Sequence, residues 1–319
     1  MTLPEGEGFS ERKTFMILSI DIGGTAVKMG LVDESGVIHA RHEASVCYDH
    51  YETPILTTVI REAKVLLARE NAKISGIGVS ATGQVDDRIG AVIGTNGKIP
   101  HYEGSQIKKE MEAEFGVPAY CLNDANAAAL GECFIGRGKG YDNVLMITLG
   151  TGVGGGIVIG GKIFGGTRGI AGELGHFTLY QDGIPCPCGK IGCYESYAAT
   201  TALVRRAKEA TGENELNGRI IFERAHAGDE TMLAVLDGWI DDIASGITGL
   251  VHIFNPQLVL IGGGVSAQEN LLIRPLREKV RSTVMPRFGE GLLVKSATLA
   301  NDAGLIGAAK FFMDCSAEN

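Results

Sequence analysis

The sequence predicts an α/β fold in two similar halves, and three observations support this. An apolar strand ends at Asp21 and runs into a glycine turn, with further strands and a helix after it. A second series of this kind begins near Asn143. Glycine accounts for 46 of 319 residues without a fibrous period, which is typical of tight turns and close backbone approaches. Alternating strands and helices favour α/β over all-β architecture, and the repeat predicts a cleft between the halves.

In the first half, apolar runs and their spacing predict each element in order. Residues 33–36 are predicted as a hairpin turn between two strands. Ile55, Val59 and Ala63 recur at helical spacing, so residues 54–70 are predicted as an amphipathic helix. The predicted strands of this half cover residues 15–20, 27–32, 37–44, 74–80 and 118–122.

The second half repeats this order of elements, with little residue identity to the first half. A glycine turn at residues 150–156 joins two predicted strands, and side chains from Trp239 to Phe254 line one side of a long helix. The last helix, about residues 303–313, is expected to pack back on the first half. The predicted strands of this half cover residues 144–148, 157–159 and 258–261.

These elements divide the chain into a leader and two domains. The leader covers residues 1–13, and the large C-terminal domain, which contains the cysteine loop, covers residues 123–302. The small N-terminal domain is predicted to combine residues 14–122 with about 303–319.

Composition and charge exclude several classes of protein. Hydrophobic residues make up 45% and charged residues 21%, which excludes a disordered chain. The net charge of −9 argues against binding to nucleic acid or to an anionic membrane. No apolar run approaches the roughly 20 residues of a membrane span, and the acidic leader is no secretory signal. We therefore expect a cytoplasmic protein whose seven cysteines are reduced. We interpret four of them, Cys47, Cys121, Cys133 and Cys315, as ordinary thiols.

Three glycine-rich turns are candidates for phosphate binding. Asp21 precedes the first turn, where backbone N–H groups and the Thr25 hydroxyl can face phosphate while the carboxylate holds a metal ion. A glycine hairpin in which Asp21 bonds its own turn is the alternative. The second turn lacks the spacing of a P-loop, and a tight hairpin with bulges is its alternative. The candidate nucleotide-binding residues are Asp21, Gly23, Gly24, Thr25, Thr148, Gly150, Thr151, Gly152, Gly262, Gly263 and Gly264.

A cysteine loop predicts a metal site. Cys186, Cys188 and Cys193 lie within one short loop, and His176 lies ten positions before it. Three thiolates and one imidazole form a closed tetrahedral zinc set, which indicates a structural ion. Buried free thiols are the alternative.

Four acidic or amide side chains are further candidates for functional residues. Asn123 and Asp124 follow a strand and open a helix, where they can cap the helix or, in a cleft, supply a general base. Glu173 and Glu195 are close in sequence to the metal loop, so zinc would hold them as fixed acceptors for a hydroxyl-rich ligand. Either can instead be a surface acid.

Together these motifs resemble those of the ROK family (repressors, open reading frames and sugar kinases) within the actin-like ATPase superfamily. The resemblance runs from about Ile17 to Phe312. It implies two actin-like (ribonuclease H-like) domains that flank a nucleotide and sugar cleft, with ATP, Mg²⁺ and structural zinc. It also implies that Asp124 is the catalytic base and that Gly262–Gly264 lie on the adenosine side. The implied sugar-binding residues are Asn123, Glu173, His176 and Glu195, and the implied assembly is a homodimer.

The expected activity is therefore ATP-dependent phosphorylation of a hexose at its 6-hydroxyl, as in glucokinases. Thr82 stands where many members have proline, and residues 21–30 are similar to those of β-glucoside kinases. A kinase for N-acetylmannosamine, N-acetylglucosamine or a β-glucoside is thus the alternative. A non-catalytic sugar sensor or transcriptional regulator is a remote one, because only about 20 residues precede Asp21, too few for a DNA-binding domain of that family.

Overall fold

The first half is built on a five-stranded sheet. The computed structural model describes residues 15–95, 97 and 99–318, so the predicted leader, residues 1–13, lies outside the described residues. The sheet has the order β3-β2-β1-β4-β7, in which β1 pairs antiparallel with β2 and parallel with β4. The elements are β1 Met16–Ile22, β2 Ala26–Asp33, β3 Ile38–Ser45, α1 Ile55–Glu70, β4 Gly76–Ala81, β5 Gln84–Asp86, β6 Ala91–Gly94, α2 Ile107–Phe115 and β7 Ala119–Asn123.

The second half repeats this topology. Its sheet has the order β10-β9-β8-β11-β12, with β8 in the place of β1, antiparallel to β9 and parallel to β11. The predicted duplication is therefore confirmed. The elements are α3 Asp124–Phe134, β8 Val144–Leu149, β9 Val153–Ile159, β10 Lys162–Ile163, α4 Glu195–Ala198, α5 Thr200–Thr211, α6 Gly218–His226, α7 Glu230–Phe254, β11 Leu258–Gly262, α8 Arg274–Thr283, α9 Pro286–Gly289, β12 Leu293–Ser296 and α10 Ala303–Glu318.

Each half has its own apolar core. In the first half, side chains of the central strands, such as Ile20 and Val79, pack with Val59 and Leu66 of α1. In the second half, Ile147 and Ile261 pack with one side of α7, where Trp239 is fully buried. Along the described residues, no helix combines the length and apolar character that crossing a bilayer requires.

The two helices that close the halves are exchanged. Helix α3 follows the first sheet but packs on β8 and β9, whereas α10 follows the second sheet and packs on β1, β4 and β7. The last helix of the chain thus contacts the sheet of the first half. The two helices also pack on each other, and glycines permit the contact: a Cβ on Gly307 would lie 1.7 Å from the carbonyl oxygen of Ala127.

The prediction of a glycine turn at residues 150–156 is wrong in its second part. Strand β9 begins at Val153, so Gly154, Gly155 and Gly156 are strand residues. Packing explains them: a Cβ on Gly156 would lie 2.5 Å from Cβ of Ala129 in α3, and one on Gly155 would lie 2.4 Å from Leu174. These glycines let α3 and the loop that contains Leu174 lie directly on the strand, and the turn itself is shorter than predicted.

We expect Gly307→Ala to destabilise the protein although alanine is the better helix former. The added methyl overlaps the backbone of α3, and overpacking of this kind costs about 1–3 kcal/mol of unfolding free energy. The matched control is Gly249→Ala in α7, where a Cβ has nothing within 4 Å and should instead stabilise the helix by about 0.5–1 kcal/mol. Denaturant unfolding measures both. Equal effects of the two substitutions would contradict the tight contact between α3 and α10.

Candidate functional site

Two adjoining cavities lie where the glycine loops meet. The first, the carboxylate cavity, has a volume of about 430 Å³ and is lined by residues of both halves, among them Asp21 and Asp124. The second, the apolar cavity, has a volume of about 670 Å³ and includes Phe222 and Val265 in its lining. Gly150 and Thr151 line both, so the cavities meet at the loop between β8 and β9.

Asp21 lies in β1 beside the first glycine turn and faces the carboxylate cavity. Its Oδ1 accepts a hydrogen bond of 2.6 Å from the Ser80 hydroxyl, on the neighbouring strand β4. Burial raises the pKa of Asp21 above its ordinary value, against the lowering effects of Ser80 and of the positive charge of Lys28. No donor among the described residues makes a hydrogen bond to its second carboxyl oxygen, which suits a ligand of a cation.

Asp124 is the first residue of α3 and also faces this cavity. Its Oδ1 accepts a hydrogen bond of 2.8 Å from the backbone N–H of Ala125, and the Thr82 hydroxyl donates a second bond to the carboxylate. Burial, reinforced by the negative charges of Asp21 and Glu173, nevertheless raises the pKa of Asp124 to about 6. A carboxylate with a pKa near neutrality is suited to accept a proton during a reaction.

Asn123, and not Asp124, caps helix α3. Its side-chain oxygen accepts hydrogen bonds from the backbone N–H groups of Ala125 at 2.9 Å and Asn126 at 3.2 Å. Its amide nitrogen donates to the carbonyl oxygen of Gly83 at 2.9 Å, in the loop between β4 and β5. One N–H of the amide remains for a ligand, and the cap leaves the Asp124 carboxylate directed at the cavity.

The predicted nucleotide-binding residues divide into three groups. Seven of them line the carboxylate cavity, as does the predicted base Asp124: Asp21, Gly23, Thr148, Gly150, Thr151, Gly152 and Gly263. Gly264 lines the apolar cavity. Gly24, Thr25 and Gly262 are not among the lining residues of either cavity: the carbonyl of Gly24 accepts from the Tyr51 hydroxyl, Thr25 is exposed, and Gly262 is buried in β11.

The cysteine loop brings its four predicted ligands together. The ligand atoms of His176, Cys186, Cys188 and Cys193 all lie within 4.8 Å of one another, and the thiols of Cys188 and Cys193 are 3.6 Å apart. Tetrahedral Zn–S bonds of about 2.3 Å place two sulfurs at about this separation. The Nδ1 atom of His176 faces Cys186, 3.8 Å from its sulfur. The donor set and its spacing therefore fit a structural zinc ion.

Glu173 and Glu195 lie on either side of this loop. Oε2 of Glu195 accepts a hydrogen bond of 2.8 Å from the backbone N–H of Val153, so it supports the glycine loop that both cavities share. Oε2 of Glu173 lies 3.9 Å from Nε2 of His176, on the ring side away from the cysteines. Glu173 also interacts electrostatically with Asp124, which places the acid near the carboxylate cavity.

The prediction of site residues missed several that line the cavities. Lys28 lies opposite Asp21 in the β1–β2 hairpin, a register that strand alternation could have revealed. Four residues from the far end of the chain also line the cavity, with no local signal in the sequence: Ala300, Asn301, Ala303 and Gly304. The apolar cavity is formed largely by helices α5 and α6, whose lining residues include Thr200, Val204, Arg219, Phe222, Glu223 and His226.

We expect kcat/KM to fall as the pH drops through about 6, because Asp124 is then protonated and can no longer accept a proton. Removing the Thr82 hydroxyl removes a bond that favours the charged form, so Thr82→Val should move this acid limb to higher pH. The profile of kcat/KM against pH checks both statements, because this ratio reports the pKa values of the unliganded protein.

The control for this experiment is Thr57→Val, the same change on the exposed side of α1. Its profile should coincide with that of the unmodified protein. A Thr82→Val profile that also coincides would mean that this hydroxyl does not tune the carboxylate.

Comparison with known proteins gives consistent matches over nearly the whole chain. The chain matches the ROK family over residues 17–314. It is 32% identical to a glucokinase of Thermotoga maritima, with 93% of this chain and 97% of that protein covered. It is 35% identical to a beta-glucoside kinase of Listeria monocytogenes, again with 93% and 97% covered. A ROK family glucokinase from Streptomyces griseus, solved with glucose and AMPPNP, superposes with a TM-score of 0.77 at 34% identity, covering 93% of this chain and 98% of that one.

Proposed function

The chain belongs to the ROK family, and from that membership we propose that it is an ATP-dependent sugar kinase that phosphorylates a hexose at its 6-hydroxyl. One observation carries the proposal: Asp124, with its pKa raised to about 6, faces a cavity that is bounded by glycine loops and shares Gly150 and Thr151 with an apolar cavity. A polar space for phosphates beside an apolar space for a nucleoside is the arrangement that a nucleotide requires.

In this proposal Asp124 is the general base. Its carboxylate takes the proton of the sugar hydroxyl while the hydroxyl oxygen bonds to the γ-phosphorus. The bond from that phosphorus to the bridging oxygen breaks, and ADP leaves with the electron pair. Phosphoryl transfer needs little covalent assistance, so the remaining residues act by positioning and by stabilising charge.

The proposed sugar contacts are the side chains around the metal loop. Nε2 of His176 and the carboxylate of Glu173 lie next to each other and can each bind a hydroxyl group. Asn123 has one amide N–H left for the same purpose. Oε2 of Glu195 accepts a hydrogen bond from the backbone N–H of Val153. A sugar bound to Oε1 would therefore be connected to the glycine loop through this side chain.

Asp21 is the proposed protein ligand for Mg²⁺, directly or through water. A magnesium ion bound there supplies positive charge to the phosphate oxygens. The glycines at Gly23, Gly150, Gly152 and Gly263 leave the backbone free to approach the phosphates, and the apolar cavity is the proposed place of the adenosine.

A second candidate substrate is a β-glucoside. It is supported by the 35% identity to the beta-glucoside kinase, which is as high as the identities to several glucokinases. Kinases for N-acetylmannosamine or N-acetylglucosamine remain further alternatives within the same chemistry. The homodimer implied by the family resemblance is proposed as the assembly.

The test is a panel of sugars assayed with ATP and Mg²⁺ by ADP release. Glucose, N-acetylglucosamine, N-acetylmannosamine and a β-glucoside are compared by kcat/KM, and ³¹P NMR locates the phosphate on the product. The proposal expects one of them to give a 6-phosphate with one ADP released for each sugar consumed. ADP release that no sugar stimulates would contradict it.

A further inference from the structure

Asp242 is a carboxylate that is buried in the apolar core of the second half. It is 5% exposed and lies in α7, the helix that also contains the fully buried Trp239 and Ile243. A charge in such surroundings is costly unless partners satisfy it, and removing one partner is strongly destabilising. The role of Asp242 therefore depends on the side chains that satisfy its charge.

Two side chains from different segments of the chain bind this carboxylate. The hydroxyl of Tyr180 donates a hydrogen bond of 2.6 Å to Oδ1, and Nη2 of Arg206 in α5 forms an ion pair with Oδ2. The bond to Asp242 raises the pKa of Tyr180 to about 12, so this hydroxyl keeps its proton near neutral pH and remains the donor. Asp242 thus joins helix α7 to helix α5 and to the segment that contains Tyr180.

The segment that contains Tyr180 is paired with the end of the cysteine loop. The backbone N–H of Tyr180 donates to the carbonyl oxygen of Gly192 at 3.2 Å. Further along the same pairing, the N–H of Tyr194 donates to the carbonyl oxygen of Phe177 at 3.0 Å. His176, a proposed sugar contact, immediately precedes Phe177. A hydrogen bond that holds Tyr180 therefore restrains this contact as well.

Helix α5 supports the glycine loop that both cavities share. The backbone N–H of Thr200, at the start of the helix, donates to the carbonyl oxygen of Gly150 at 2.9 Å. The hydroxyl of Thr201 donates to the carbonyl oxygen of Thr151 at 3.0 Å. Arg206 lies later in the same helix, so its ion pair with α7 holds α5 against the core.

We propose that Asp242 is a positioning residue for the sugar site: by accepting the Tyr180 hydroxyl, it holds His176 and Glu195 in place relative to the glycine loop. This rests on the proposed kinase function, in which these two side chains contact the sugar. Arg206 balances the charge of Asp242 and fixes α5. Asp242, Tyr180 and Arg206 are not among the described residues that line either cavity, so they act through other residues and not by touching a substrate.

The test is Tyr180→Phe, which removes the hydroxyl and keeps the ring that packs edge-on against Tyr197. Isothermal titration with the panel sugar that binds most tightly should give a Kd raised about 5- to 10-fold, because the contacts lose part of their orientation. At saturating sugar kcat should stay within about twofold, the result for an interaction that contributes equally to the ground state and the transition state.

The Kd for ADP should also stay unchanged in Tyr180→Phe, because the ion pair between Arg206 and Asp242 remains. Elemental analysis should still find one zinc ion per chain, since all four ligands are intact. A merely structural role of the hydroxyl would lower the melting temperature and leave the sugar Kd of the folded protein as it was.

A second variant tests whether Tyr180 acts through Asp242. Asp242→Leu removes the acceptor and places an apolar side chain in the core, while Arg206 is half-buried and its charge can reach water. The double variant with Tyr180→Phe should bind the sugar no more weakly than Asp242→Leu alone, because both changes break the same hydrogen bond. Additive losses of sugar affinity would overturn the connection between the two residues.

The matched control is Tyr141→Phe, which removes a hydroxyl of the same half that accepts from Nζ of Lys295 at 3.1 Å and lies outside both cavity linings. It should leave sugar and ADP binding unchanged. An unchanged sugar Kd in Tyr180→Phe, an equal rise in the control, or a rise that appears only with loss of zinc would overturn the positioning role. Because sugar binding requires no turnover, failure of the kinase proposal in the sugar panel is a separate result.

Discussion

Replacing Asp124 with alanine is expected to lower kcat by about 10²- to 10⁴-fold, while the Kd for ADP stays within about twofold. The reason is that the carboxylate acts on the proton of the attacking hydroxyl and contacts the cavity from α3, on a different element from the glycine loops. Steady-state kinetics with the best sugar of the panel give kcat, and titration with ADP gives the affinity.

Asp124→Asn separates the loss of the base from a loss of packing, because the amide has the same shape and no charge. The folded protein raises the pKa of this carboxyl from 3.8 to about 6. The protonated carboxyl therefore stabilises the folded state. This stabilisation is fully present below about pH 4 and is lost as the pH rises through about 6. At neutral pH the charge costs the folded state free energy, so Asp124→Asn should melt no lower than the unmodified protein and still lose turnover.

The matched control is Asp142→Ala, which removes an exposed carboxylate of the second half that lines neither cavity. It should leave kcat and the melting temperature unchanged. Near-normal turnover in Asp124→Ala and Asp124→Asn would remove Asp124 from the role of base.

The second large effect is expected at the cysteine loop. The purified protein should hold one zinc ion per chain by elemental analysis, and Cys193→Ser should lose it, because a serine hydroxyl is a poor replacement for a buried thiolate ligand. Structural zinc sites contribute roughly 10 kcal/mol or more of apparent binding free energy, which is comparable to the stability of a whole domain. Melting temperature and kcat should therefore fall together.

The activity should fall because the proposed sugar contacts depend on this loop. His176 is itself a predicted ligand, Glu173 precedes it in the same short turn, and Glu195 follows Cys193 by two positions. The control is Cys47→Ser, a thiol of the first half whose sulfur is 3.6 Å from the hydroxyl of Ser45 and from the carbonyl oxygen of Thr25. A native protein without stoichiometric zinc would refute the metal site.

Local patterns in the sequence predicted most of the elements because each depends on nearby residues. The apolar run before Asp21, the helical spacing of Ile55, Val59 and Ala63, and the order of elements all have counterparts in the structure. Most strand ends shift by one or two residues, as for β7, predicted at 118–122 and found at Ala119–Asn123, whereas β9 begins four residues before its predicted start. The four ligands of the cysteine loop were also predictable, since three of them lie within eight residues.

What the sequence could not reveal depends on contacts between distant segments. Gly154–Gly156 suggested a longer turn, because the segments that require these glycines, helix α3 and the loop that contains Leu174, lie elsewhere in the chain. Asn123 and Asp124 were equal candidates for the cap, and only the backbone of α3 distinguishes them. Gly304 lies close to Asp21, although the two are far apart in the sequence, so no local pattern indicates that Gly304 and its neighbours Ala300, Asn301 and Ala303 line the cavity.

The exchange of α3 and α10 has a consequence for biosynthesis. The face of β1 and β4 that α10 covers is apolar and closely fitted, with Ile17 against Phe312 and Gly78 against Ala308. Because translation proceeds from the N-terminus, α10 cannot cover this face until its sixteen residues, Ala303–Glu318, leave the ribosome. Nascent chains that stop short of this helix should bind chaperones or aggregate, and full-length chains should complete the first half last, although it is synthesised first.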